Sequence, residues 1–262
     1  MLRGGSPRLG GAVRVRSPTP VGGGLGLWTL LVSRVDATRL DLSVLDVEER
    51  GRAARMSRPQ DRLSFVAAHI LLRQLLSQRL GVAPREIAYL RESCPACGGP
   101  HGRPVLAASS HPLHFSVSRR DDVVLIGLAA TRIGVDVEAL AGPETIAEVG
   151  ALLHARERAE VVCAAPSEQP ARFTRIWARK EAYLKGVGVG IAAGLSSAYL
   201  GAGQTTSRPL GWMVLDIPAP AGYAAAAALA APGSPDTPLS GAAYDQEGQG
   251  AWHRPPVTDV PG

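Results

Sequence analysis

The sequence predicts an α+β protein made of two similar α/β halves, and three observations carry that expectation. Strand-like and helical runs interleave along the chain instead of segregating into separate blocks. The order strand, helix, hairpin occurs twice, dividing the ordered part at about 27–132 and 133–232. Apolar runs stay short: "YAAAAALAAP" near the C-terminus cannot span a bilayer, so the expected protein is soluble and has no membrane partner.

In chain order, "LWTLLVSRV" (27–35) reads as a strand. Its "LGLWTLLV" start imitates a signal peptide, but Arg34 and Asp36 follow at once and favour the strand. Residues 42–56 carry helical spacing. In 61–80, Phe65, Leu72, Leu76 and Leu80 share a helical face, and Gly81 and Pro84 stop the helix. His69 falls in that apolar pattern and reads as packed. A turn-rich loop covers 93–106. "HFSVSRRDDVVLIGLAA" (114–130) reads as two strands around the polar turn Arg119-Arg120-Asp121-Asp122, and "IGVDVEAL" (133–140) as another strand. Helices follow near 144–164 and 171–185, then strands near 196–201, 210–217 and 222–230.

Composition excludes several classes. The 262 residues are 45% apolar and 19% charged, which suits one domain or two small subdomains sharing a core. Glycine (30) and proline (21) crowd the ends, and stretches 1–26 and 233–262 lack apolar periodicity, so both are expected to be disordered tails. The net charge is +5, but the arginines are dispersed and aromatics are only 5%, which argues against nucleic acid and for a polyanionic small molecule or an acidic protein. Three cysteines do not make a secreted disulfide framework and point to a reducing cytoplasm.

Two short stretches carry chemistry. In "GVDVE", Asp136 and Glu138 are two apart on a strand, so both carboxylates leave one face. Like charges held together call for a cation, and hard oxygen ligands suit Mg²⁺ better than zinc. A polar edge strand would also account for the pair. In "FTRIWARKEAYLKGVGVG", Trp177, Glu181, Leu184 and Lys185 share a helical face. Trp177 and Leu184 would anchor it in the core, leaving Glu181 and Lys185 at its edge, where a third carboxylate could join the first two. Three carboxylates around a metal, with a lysine beside it, describe a polyphosphate site. The glycines of "KGVGVG" would let backbone approach a ligand.

"GVDVE" followed by "WARKEAYLK" resembles the paired signature of the 4′-phosphopantetheinyl transferases, in their larger, two-half pseudo-symmetric Sfp-type branch. "HGRP" is similar to that family's G-K-P turn, and "HFSVSRR" to its F-(N/S)-(L/V)-S-H segment. The similarity runs in order over about 45–200. It implies transfer of the phosphopantetheine arm of coenzyme A to a serine of an apo acyl- or peptidyl-carrier protein, releasing adenosine 3′,5′-bisphosphate. It further implies a monomer in which Asp136, Glu138 and Glu181 hold Mg²⁺, Glu181 takes the serine proton and Lys185 contacts phosphate. Lys180 would help orient the site, Gly102, Arg103 and Pro104 would lie along the nucleotide, and Ser118 and Arg119 would reach its phosphates. The chain departs from the family pattern at Arg119, where histidine is usual, at Arg103, where lysine is usual, and at Ser64, whose missing charge Arg62 or Arg52 would supply.

Two rival readings have distinct consequences. A metal-dependent nucleotide phosphohydrolase would form product without a carrier protein, and a non-catalytic carrier-binding module would need no metal. In "CPACGGPH", Cys94, Cys97 and His101 have zinc-ligand spacing. No fourth ligand is evident, with Cys163 and His111 as unsupported candidates, and the stretch is read as a tight turn with reduced thiols.

Overall fold

Every residue from Val123 to Ala129 is buried, and alternate residues of this strand go to different cores. The computed structural model describes residues 12–15, 25–107, 112–190, 194–207 and 209–233. Its strands are β1 (Ala12–Val15), β2 (Gly26–Leu31), β3 (Tyr89–Arg91), β4 (Pro104–Leu106), β5 (His114–Arg120), β6 (Val123–Ala129), β7 (Ile133–Ala139), β8 (Trp212–Ile217) and β9 (Tyr223–Ala230). Its helices are α1 (Val47–Ala54), α2 (Pro59–Leu80), α3 (Pro143–Gly150), α4 (Ala155–Val162) and α5 (Gln169–Val187). One antiparallel sheet has the order β1-β2-β6-β5 and another the order β7-β9-β8, while β3 and β4 pair separately.

The period of two along a strand turns these sheets into four layers. Val124, Ile126 and Leu128 of β6 join Trp28 and Leu30 of β2 in a core that includes Phe65, Leu72 and Leu76 of α2. Val123, Leu125 and Ala129 point the other way, into a core shared with Ile133, Val135 and Val137 of β7 and with Ala225, Ala227 and Leu229 of β9. The alternate β9 residues Ala226 and Ala228 meet Ala178, Ala182 and Leu184 of α5. The order is therefore α2, sheet, sheet, α5, with each sheet buried on both faces. The two halves repeat one topology: β2, α2, β5, β6 and β7, α5, β8, β9 both run strand, long helix, hairpin, and in both sheets the last strand lies between the other two.

The α+β class and most elements match expectation; four differences have physical causes. Ala12–Val15 pairs with β2, so the stretch 1–26 expected to be disordered contains a strand, and β2 would otherwise present an unpaired edge. Residues 1–11, 16–24 and 234–262 lie outside the described residues. Strand β2 ends at Leu31, where the Val32 N–H turns to the Asp122 carbonyl and a 3₁₀ turn follows. The expected helix over 144–164 is two helices, because His154 starts α4 with a capping box closed by Glu157. The stretch 196–201 is no strand: the Leu200 N–H donates to Glu157 and the Gly201 carbonyl accepts from Arg179, so side chains replace a ladder partner.

Candidate active site

The site is built where β7 lies on α5, and a glycine on each side permits it. A Cβ at Gly134 would sit 1.9 Å from the Ala182 carbonyl oxygen and 2.4 Å from the Gly186 nitrogen. No side chain fits there, so strand and helix backbones touch. Because Ile133, Val135 and Val137 take the sheet–sheet core, Gly134, Asp136 and Glu138 are on the α5 side. Lys185 Nζ reaches Asp136 Oδ1 at 2.6 Å. Burial alone would lower the Lys185 pKa, but the carboxylates of Asp136, Glu181 and Glu138 outweigh it and hold the ammonium above its ordinary value. The two motifs thus meet as three acids grouped around one lysine.

Strand β5 completes this floor with hydroxyls. The Val135 N–H donates to Ser116 Oγ at 3.0 Å, and Ser118 Oγ donates to Asp136 Oδ1 at 2.8 Å. Ser118, expected to reach phosphate, is buried, and Lys185 Nζ stands 3.1 Å from its oxygen. Arg120 Nη1 stands 3.5 Å from Glu138 Oε2, a contact the sequence analysis did not foresee, although its arginine-rich turn was noticed. Asp136 is 1% exposed, and its second oxygen, Oδ2, is buried with no hydrogen-bond partner. Burying a carboxylate oxygen unpaired costs several kcal/mol, roughly, so such an oxygen beside further acids is suited to a cation. The hard oxygen donors suit Mg²⁺ in kind, though among the described residues the three carboxylates are not gathered within 4.8 Å of one another.

Beside this cluster opens a cleft of about 600 Å³, and Lys185 is the cluster member in its wall. Gly102, Arg103, Pro104 and Arg52 also line it. A Cβ at Gly102 would lie 2.4 Å from the Glu92 carbonyl oxygen, so this turn closes only with glycine. The Arg103 guanidinium is already committed to the protein: Nε and Nη2 donate to the two Glu92 carboxylate oxygens at 2.7 and 3.0 Å, and Nη1 to the Gly186 carbonyl at 3.3 Å. It thereby ties the loop to the end of α5. The guanidiniums of Arg52 and Arg119 lie 5.3 and 5.1 Å from the centre of the Phe65 ring, so two cations flank one aromatic.

Four of the residues expected along coenzyme A, Ser118, Arg119, Arg62 and Lys180, are not in the cleft wall. Arg62 donates to the Met56 carbonyl at 2.9 Å, whereas Arg52 is in the cleft wall. Lys180 is 2% exposed, with Nζ 2.7 Å from Glu157 Oε2 and a further bond to the Ala198 carbonyl. It fastens α4 and the 198–203 segment to α5 instead of orienting the site; desolvation pulls its pKa down against the pull of Glu157. Five residues apart, Lys180 and Lys185 stand about 140° from each other around α5, and the interface each face meets gives them different partners.

Residues of the N-terminal half that the sequence analysis did not single out also line the cleft: Glu49, Tyr89 and Arg91, together with His69, read there as packed. His69 is both. Its ring stacks on Phe65 with centroids 4.0 Å apart, and Nδ1 lies 2.8 Å from Glu49 Oε1. Glu49 also accepts from Arg73 Nε at 2.7 Å, and fully buried Arg73 donates to the Pro84 and Ile87 carbonyls and to Asp46. Burial pushes the Tyr89 hydroxyl well above its ordinary pKa. The "D-V-E-E" capping box opening α1 was the available signal for Glu49. Cys94, Cys97 and His101 converge, with their ligand atoms all within 4.8 Å of one another. His111 lies outside the described residues, and Cys163 is an exposed free thiol on another helix end.

With acids, lysine and cleft in place, comparison with known proteins becomes informative. The family model described as the 4′-phosphopantetheinyl transferase superfamily matches residues 132–226, which hold Asp136, Glu138, Glu181 and Lys185. The chain is 31% identical over 171 residues to the 4′-phosphopantetheinyl transferase HetI of Nostoc sp., covering 63% of this chain and 69% of that protein. It is 31% identical over 178 residues to a phosphopantetheinyl transferase of Thraustochytrium sp., covering 62% and 59%, and 26% identical over 150 residues to the 4′-phosphopantetheinyl transferase psf-1 of Bacillus pumilus, covering 57% and 60%. The chain thus belongs to the 4′-phosphopantetheinyl transferase superfamily. The matched parts span about three fifths to two thirds of these relatives' own lengths.

Proposed function

We propose that this protein transfers 4′-phosphopantetheine from coenzyme A to a serine of an apo acyl- or peptidyl-carrier protein, as an Sfp-type transferase. The observation that carries the reading is the Asp136 carboxylate: held by Lys185 and Ser118 through Oδ1, it keeps Oδ2 buried and unpartnered on the face it shares with Glu138, toward Glu181. Asp136, Glu138 and Glu181 would hold Mg²⁺, which when bound neutralises pyrophosphate oxygens and withdraws charge from the leaving group. Every other contribution comes from the chain. Lys185, fully charged beside its acids, places a cation on phosphate at the cleft wall. Gly102, Arg103 and Pro104 form a rigid edge for the nucleotide, and Arg52 and Arg119, spread over Phe65, add positive potential for its phosphates.

Glu181 accepts the serine proton, directly or through a water, as the serine oxygen forms its bond to the β-phosphorus. The bond from that phosphorus to the bridging oxygen breaks, and the pair of electrons leaves on adenosine 3′,5′-bisphosphate. The units at 27–132 and 133–232 are the two halves that form this seam, and one chain supplies both, so the active form is a monomer. Three free cysteines accord with the cytoplasm; among the described residues no helix is long and apolar enough to cross a membrane.

The test is intact mass spectrometry of an apo carrier protein incubated with the protein, coenzyme A and Mg²⁺. One phosphopantetheine should be added per carrier, nothing to a carrier lacking its serine, and nothing without the metal. Cleavage of coenzyme A at the same rate without carrier would instead mark a phosphohydrolase. Unchanged carrier mass across several carrier types would refute the transfer.

A further inference from the structure

We propose that Cys94, Cys97 and His101 bind one zinc ion at the tip of the loop joining β3 to β4, through two thiolates and an imidazole nitrogen. Three observations support it independently of the acidic cluster. Among the described residues, this is the one trio of cysteine, histidine and acidic side chains whose ligand atoms all lie within 4.8 Å of one another. Ligands about 2.0–2.3 Å from a tetrahedral zinc stand roughly 3.3–3.8 Å apart, so a small outward movement of the Cys97–His101 pair, now 3.0 Å apart, admits the ion.

The backbone is also folded around those ligand atoms. The Gly98 N–H donates to the Cys94 carbonyl at 2.8 Å, the Cys94 N–H to the Gly99 carbonyl at 2.7 Å, and the Gly99 N–H points at Cys97 Sγ at 3.4 Å. An N–H aimed at sulfur stabilises a thiolate, the form that binds metal. Gly98 has φ +72°, where glycine is favoured, and a Cβ at Gly99 would lie 2.9 Å from the His101 ring and 3.3 Å from Cys97 Sγ. Gly98 thus permits the left-handed turn, and Gly99 leaves room for the His101 ring beside Cys97 Sγ.

The third observation is that the loop has little else to order it. Cys94 is its buried apolar group, at 2% exposure, while Cys97 and His101 are exposed. Fixing backbone costs conformational entropy, which a metal clip can offset where no core exists. Thiolate donors select zinc over Mg²⁺, and three protein ligands with an open fourth position, filled by solvent, is an established zinc pattern. At its base the loop is closed by the Gly102 N–H to the Glu92 carbonyl and by the Arg103–Glu92 pair. Zinc would thus stiffen the segment that brings His101, Gly102 and Arg103 to the cleft; that consequence rests on the proposed transferase function, whereas the site itself does not.

The experiment uses the untagged full chain purified under a metal-free reductant, reconstituted with zinc, desalted and analysed for zinc, iron and copper. About one zinc per chain is expected. Replacing zinc by Co²⁺ should give thiolate-to-cobalt charge-transfer absorption and tetrahedral ligand-field bands, readings that need no variant. Cys97→Ser and His101→Ala should lose both, and Cys163→Ser should keep both. A reduced wild-type chain that retains no zinc and gives no cobalt charge transfer overturns the proposal. So does zinc that persists unchanged in Cys97→Ser and His101→Ala, or iron or copper in its place.

Discussion

The two halves share a strand order and differ in what their first strand turns toward its helix. Strand β2 gives α2 the apolar Trp28 and Leu30, which pack with Phe65 and Leu72. Strand β7 gives α5 Gly134, Asp136 and Glu138, and α5 answers with Glu181 and Lys185. One half spends its helix–sheet interface on burial, the other on charge. The charged half can do so because its backbones touch at Gly134 and because α5 is held from behind by ion pairs: Arg179 with Asp216 and Lys180 with Glu157. The N-terminal half keeps its own buried ions, Arg73 with Glu49 and Asp46, outside the contact with β2. Two halves of similar strand order thus differ through the few residues that each first strand turns toward its helix.

Breaking the supporting ions should have the largest effect on the fold. Lys180→Met leaves Glu157 buried without its cation and should cost about 3–5 kcal/mol in chemical denaturation, and adding Glu157→Gln should recover part of it. Lys185→Met, on the same helix, also strips the cation from a buried carboxylate, Asp136, and should destabilise too, but it alone should lower turnover per folded molecule. An equal loss of turnover per folded molecule in both variants would remove the distinction drawn between the two lysines.

Next comes the acid that distinguishes β7 from β2. Asp136→Ala should lower carrier loading by about 10²–10³-fold, the range for loss of a group that handles developing charge, while unfolding remains one cooperative transition. Near wild-type turnover at limiting Mg²⁺ would end the metal assignment.

The glycines test the touching backbones. Gly134→Ala forces a Cβ against the Ala182 carbonyl and should cost about 1–3 kcal/mol and much of the activity. Gly127→Ala on β6 would meet only the side chains of Val135 and Ile133, which can turn aside, so it should cost less. The reverse ranking in thermal denaturation would show that the β7–α5 contact can relax.

The smallest effect is a pH dependence confined to the N-terminal half. Burial raises the Glu49 pKa, but the His69 and Asp46 hydrogen bonds and the His69 and Arg73 charges outweigh it and leave it below its ordinary 4.5. A depressed folded pKa gives stability that is complete above 4.5 and is lost as pH falls from there through the folded value. Denaturation midpoints should drop over that acid window, and Glu49→Gln should flatten the drop. An unchanged slope in the variant would assign the acid sensitivity to other groups.

Sequence alone determined the class of fold, because strand and helix periods are local and survive in any context: α2, α5, the β5–β6 hairpin and β7 all lie where the pattern puts them. It also put Asp136 and Glu138 on one face and Glu181 and Lys185 on another, since spacing fixes the face. Tertiary structure decided what each face meets. Lys180 and Lys185 are chemically alike, and only Glu157 across one interface and Asp136 across the other give them different work. Ser118 meets Asp136 because β5 runs beside β7, and the 196–201 stretch lost its strand to the carboxylate of Glu157 and the guanidinium of Arg179. Cys94, Cys97 and His101 had the right spacing from the start, but spacing leaves loop direction open, and it took the turn at Gly98 and Gly99 to bring their ligand atoms together. Periodicity is written in the chain itself, while partnership across an interface depends on residues far away in sequence, whose distances only folding sets.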